Sequence, residues 1–387
     1  MIKKCTIFLL LLSGIVFFVA CSGEDSTSSE FIGNYDPDGG PPPPPPPSDN
    51  SNDTKYKWDI PANEIVTGCL GTDCIPSLQD PELISVDQVD YLDDNDLLEG
   101  IFFNNQARAY PHKILDWHEI INQHFGSTKI AITYCPLTGS AVGIHVSKTG
   151  LSAGTSLKTF GISGLLYNNN LIPYDRGTLS NWSQMLLRCV NGVLRGTPMV
   201  TVPLIETSWK TWKKMFPNSL VVSTNTGFDR PYNIFPYGNY KTDPFLLFPI
   251  SIDDTRRPRK ERLYGVITDP YEFKAKTYPH TLFPSPRAIN DEVDGNPVVI
   301  AGSKPDEIFV SYSRITEDGT LLTFDVSTES PHIFPFDLVD NEGNVWNILG
   351  EAVEGPRQGQ HLKPMDAYNA YWFAWGTFFP GVPIYSE

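Results

Sequence analysis

Positive charge is scarce in this chain. It carries 29 Lys and Arg against 45 Asp and Glu, a net charge of −16. Such a surface repels phosphate backbones and excludes general nucleic-acid binding. After residue 20 there is no long apolar run, so nothing downstream reads as a membrane-spanning helix. Cysteines number only six. They form no pair of CxxC motifs, and no HExxH occurs, which argues against a structural zinc site. Gly161-Ile-Ser-Gly164 lacks the lysine and spacing of a phosphate-cradling loop. Cys135, a histidine and Met185 have no distinctive ligand spacing. No metal and no cofactor are therefore assigned.

Turn formers are abundant instead. Thirty-four prolines and 30 glycines, with 12% aromatics, point to short strands and loops rather than long helices. Hydrophobic residues make up 40% and charged residues 19%, a balance that folds. At 387 residues the chain is too long for one hydrophobic core.

Residues 1–20 read as an address. Lys3 and Lys4 precede a nearly unbroken apolar stretch ending at Val19-Ala20-Cys21. A short positive region, an apolar core and small residues before a cysteine form a lipoprotein signal, with Cys21 the acylated residue. An ordinary secretory signal or an uncleaved anchor is the plainer alternative. Residues 21–56 form an acidic, proline-rich tether. Residues 22–54 hold seven acidic residues and no Lys or Arg. Such a segment cannot bury enough apolar area to offset its ordering entropy. Pro41 to Pro47 should form a stiff polyproline rod of about 20 Å. Glu24 and Asp25, just after Cys21, look like a surface-export signal. The expected location is an exported protein, lipid-anchored to the outer membrane, on the cell surface or facing the periplasm. An oxidising compartment permits a local disulfide between Cys69 and Cys74.

The remainder carries an internal echo. Tyr110, Pro111, His112, Ile121, Asn122 and Ile132 recur as Tyr278, Pro279, His280, Ile289, Asn290 and Ile300, at an offset of 168. Leu186, Gly192, Gly196, Trp209, Trp212 and Pro217 recur as Leu349, Gly355, Gly359, Trp372, Trp375 and Pro380, at an offset of 163. Asp175 and Trp182 fall near Asp340 and Trp346. The expected fold is α+β, mainly β. Two diverged β-rich repeats with short helices pack about an approximate two-fold, a first lobe over 57–217 and a second over 261–387. Residues 218–260 read as an irregular connection or an outer ornament. Strand-like residues cover "ARAYPHKIL" and "KIAITYC", with a short helix expected over 115–124 between them. Two strands joined by an Asn-rich turn are expected in "LKTFGISGLLYNNNLIPYDR". Ser208 to Phe216 reads as a short amphipathic helix closed by Pro217.

The stretches "NNQARAYPHKILDWHEIIN", "ITYCPLTGSAVG", "FGISGLLYNNNLIPYDRGTLSNWSQ" and "AYWFAWGTFFP" resemble the uncharacterised bacterial family known as domain of unknown function 3179, from about residue 60 onward. The resemblance implies a fold and a bacterial setting, and carries no agreed activity. Members often have Cys-Pro-Leu-Cys where this chain has Cys135-Pro136-Leu137-Thr138. That departure weakens any scheme needing a vicinal cysteine pair.

Two chemical readings compete with plainer ones. Cys135 with His118, oriented by Glu119 or Asp175, would make a nucleophilic constellation. Otherwise Cys135 is a small buried residue. Tyr174, Asp175, Asn181, Trp182 and Gln184 would line a cleft for a glycan or peptide, or form a turn in which Asp175 accepts N–H groups and Trp182 plugs the core. His112 and His280 are expected to bond turn carbonyls. The function expected is a ligand- or partner-binding envelope lipoprotein, with the membrane, an outer-membrane protein or an extracellular glycan or peptide as partner. The alternative is an exported thiol enzyme or redox protein.

Overall fold

The computed structural model describes residues 57–386. The signal segment, the tether and Cys21 lie outside them. Among the described residues the protein is mainly β, with three α-helices. The strands form three five-stranded sheets, two three-stranded sheets and one four-stranded sheet.

Local chemistry explains the element ends. The strand Gln106–Pro111 runs straight into helix α1, His112–His118. The first turn of a helix tolerates the fixed φ of a preceding proline. Helix α1 stops at Glu119, whose φ is +54°, and Ile120–Phe125 continues as a strand. The helix expected over 115–124 instead starts three residues earlier and runs for seven residues. β-branched Ile120 and Ile121 favour the extended state once the left-handed residue has turned the chain. Helix α2, Trp209–Met215, begins as expected, with Ser208 Oγ accepting the Thr211 N–H. The Asn-rich hairpin joins Phe160–Tyr167 to Asn170–Asp175 through Asn168 and Asn169, both at positive φ. Helix α3 is Trp372–Phe378.

A few local arrangements recur along the chain. Strand Leu97–Phe103 lies between Gln106–Pro111 and Ile205–Ser208. Strand Arg262–Asp269 lies between Lys274–Pro279 and Asp366–Tyr371. Gly100, in the first, faces Trp212 so closely that a Cβ would sit 2.0 Å from its ring. Gly265, in the second, faces Trp375 with a Cβ at 2.2 Å. Asn122 exchanges two hydrogen bonds with the Phe160 backbone, and Asn290 exchanges two with that of Phe324. The Trp182 indole donates to Asp175 at 3.1 Å, and the Trp346 indole to Asp340 at 2.9 Å.

Residues 218–260 are mostly irregular but are no outer ornament. Leu220–Val222 pairs with Leu83–Ser85 and, in parallel, with Gln106–Pro111. Tyr240 is buried in the largest core, and Phe235, Tyr237 and Phe248 pack against it. That core combines Trp182, Met185 and Cys189 with Trp372, Phe373 and Trp375. Both ends of the chain therefore share apolar burial.

Candidate functional site

The most unusual polar arrangement lies where these strands meet. Glu99 and Glu206 sit directly opposite one another on adjacent antiparallel strands. His112 opens α1 beside them. Its Nε2 lies 2.9 Å from Glu99 Oε1 and 3.9 Å from Glu206 Oε2. All three are buried, and their ligand atoms lie within 4.8 Å of one another. Arg262 donates to Glu206 Oε2 and to Gly139 O. Asn369 Nδ2 donates to Glu206 Oε1 at 3.2 Å, and its Oδ1 lies 2.8 Å from His280 Nε2. The two conspicuous histidines thus meet a carboxylate and an amide, not the turn carbonyls expected. Burial, reinforced by Glu206, holds the Glu99 carboxyl well above the usual range. Burial, with Lys241 and Arg262 nearby, holds the His112 imidazole well below its usual value. Two carboxyl groups and a neutral imidazole converging in a buried site can share a proton or ligate a cation.

Sequence reasoning missed Glu99 and Glu206. The signal available was a lone glutamate in each of two otherwise uncharged strands, Leu97–Phe103 and Ile205–Ser208.

The residues singled out from sequence are engaged with other partners. Cys135 ends the strand Thr128–Cys135, is buried, and points its Sγ at Asn169 O, 3.4 Å away. Burial, then the nearby Glu119, pushes its thiol up to about 11. His118 spends both ring nitrogens elsewhere: Nδ1 lies 2.7 Å from Pro76 O and Nε2 2.7 Å from Tyr232 Oη. Burial depresses it to about 4. Glu119 is buried beside Tyr237, and desolvation raises its carboxyl to about 8. Asp175 accepts the N–H groups of Gly177 and Thr178 and the Trp182 indole, so it orients no imidazole.

The polar-aromatic set also faces inward. Trp182 is fully buried edge-on to Phe160, leaving no ring face for a sugar. Gln184 is fully buried and bonded to Thr133, Ser140 and Asn170. Tyr174 donates to Asp73, and Asn181 to Asn191. This is the turn with a tryptophan plug. Cys69 and Cys74 are disulfide-bonded, with Cα atoms 6.1 Å apart.

An open apolar groove of about 400 Å³ runs nearby. Phe102, Val202 and Leu204 line it together with Tyr264, Phe309 and Met365. His145 and His361 stand among its lining residues.

The family model described as a protein of unknown function, DUF3179, matches residues 72–382. The chain belongs to that family. No curated protein and no solved structure matches it.

Proposed function

We propose that this family member is an exported, lipid-anchored envelope protein that binds a ligand or protein partner in the groove between its two ends. The lipid on Cys21 and the tether over 21–56 would hold the folded part on the outer membrane, displayed at the cell surface. The observation that carries the binding reading is the groove. Its lining comes from separate parts of the chain, and Phe102, one of the lining residues, is 40% exposed. Concave apolar surfaces with a few polar groups are where small ligands and peptide side chains dock. Catalysis by Cys135 with His118 loses its support, because the histidine is tied to Pro76 and Tyr232.

The two ends are read as diverged copies packed about an approximate two-fold. Supporting this are the paired Gly–Trp approaches, the paired Asn clips and the paired Asp–Trp bonds. In this reading the binding groove lies between the copies.

The test is binding by the full chain on peptide and glycan arrays. Retention of a defined set of sequences or sugars is expected, and Phe102→Asp should abolish it. No retention, combined with no species cross-linked to position 102 in native envelopes, would remove the reading.

A further inference from the structure

We propose that Glu99, His112 and Glu206 hold one divalent first-row cation, such as Zn²⁺ or Mn²⁺, at the seam between the two ends of the chain. The assignment rests on these three side chains alone and stands apart from the ligand-binding reading.

Geometry comes first. A small cation about 2 Å from each donor sets neighbouring donors about 3–4 Å apart. Here the imidazole nitrogen lies 2.9 Å from one carboxylate and 3.9 Å from the other. Two carboxylates and one imidazole suit zinc and manganese, and offer no thiolate to favour softer ions. Backbone pairing, not chance side-chain reach, sets the arrangement. Glu99 and Glu206 are register partners, so both project from the same face of one sheet. The fixed start of α1 after Pro111 brings His112 over that face.

Charge supplies an independent reason. Like charges directly opposite on neighbouring strands repel, and burial sharpens the repulsion. Side-chain exposure is only 2% at Glu99 and 7% at Glu206. Arg262 reaches Glu206 and leaves Glu99 facing His112 and its fellow carboxylate. Asn369 is neutral. One positive charge is thus set against two carboxylates, leaving a net negative charge that draws a cation to the site. Outer groups are in place too. Arg262 and Asn369 each hold an oxygen of Glu206, as the supporting partners of metal-bound carboxylates do.

Access is present. A cleft of about 530 Å³ is lined by Leu97, Ser208, Lys210, Arg262 and Lys304. Leu97 and Ser208 stand two residues from Glu99 and Glu206 on their strands, hence on the same face. Arg262 belongs both to this cleft and to the carboxylate site.

The test uses the full chain in detergent, stripped with a chelator and titrated with Zn²⁺ against a chromophoric competitor. One tight equivalent per chain is expected. His112→Gln and Glu206→Gln should each weaken it at least tenfold. His332→Gln should leave it unchanged, although His332 also lies near two carboxylates, Asp337 and Glu354, at a more exposed position. Where a buried variant fails to fold, Co²⁺ added to the unaltered chain should give a visible ligand-field band that Zn²⁺ displaces. No tight equivalent and no Co²⁺ band would overturn the proposal in favour of a proton shared between the carboxylates. Loss of the equivalent in His332→Gln would overturn it equally.

Discussion

Glu119 shows how much one buried residue governs. Desolvation raises its carboxyl to about 8, against 4.5 in an unfolded chain. The unfolded state therefore releases this proton from about pH 4.5 upward, while the folded state keeps it until about pH 8. Stability from this group is fully present below pH 4.5 and falls as pH rises through that window. Glu119→Gln stays neutral and should remove the decline. Urea melts of both proteins at pH 5 and pH 8 check this: the variant should gain on the native chain at the higher pH. Cys135 and Cys189 offer a second test. Burial pushes their thiols to about 11 and about 12, so iodoacetamide should label neither in the native protein below about pH 9. Both should react in denaturant. Labelling of native Cys135 at neutral pH would revive thiol chemistry. At Gly100 a methyl group would meet the Trp212 ring at 2.0 Å. Gly100→Ala should cost about 3 kcal/mol by chemical denaturation, the upper range for overpacking.

At the scale of elements, the Asp–Trp turns are the recurring device. Asp175 satisfies two backbone N–H groups and an indole, and Asp340 does the same with Glu342, Asn344 and Trp346. Removing either carboxylate leaves buried donors unpaired. Asp175→Ala and Asp340→Ala should therefore each cost about 3 kcal/mol, read from paired denaturant melts. Unequal costs, with one variant near neutral, would break the correspondence between the turns. These elements were legible in the sequence because their signals are local. Consecutive asparagines specify the hairpin, and Ser208 with Pro217 brackets α2. The end of α1 was not legible. Residues 115–124 suit either state, and nothing local announces a glutamate at φ +54°. Nor was the carboxylate pair. Glu99 and Glu206 are far apart in the chain and each reads singly as a solvent-facing residue. Only the pairing of their strands opposes them. Asp175 and Trp182 were correctly read as neighbours, yet their burial, which decides between cleft and plug, depends on packing from Phe160.

For the whole molecule, the proposed membrane attachment can be tested apart from folding. If Cys21 carries the lipid, Cys21→Ser should move the protein from the membrane fraction to the soluble fraction on cell fractionation. Its melting temperature is expected to stay the same if residues 57–386 fold without it. A variant still sedimenting with membranes would refute the anchor. The folded body itself has an unusual closure. Tyr368 donates to Met185 O, and Trp372, Phe373 and Trp375 complete the core around Trp182 and Cys189. The last helix is thus the lid of a box whose other walls emerge much earlier. The core around Trp182 is therefore complete only once the final helix is in place, and truncation before Trp372 should leave Trp182 and Cys189 without their cover.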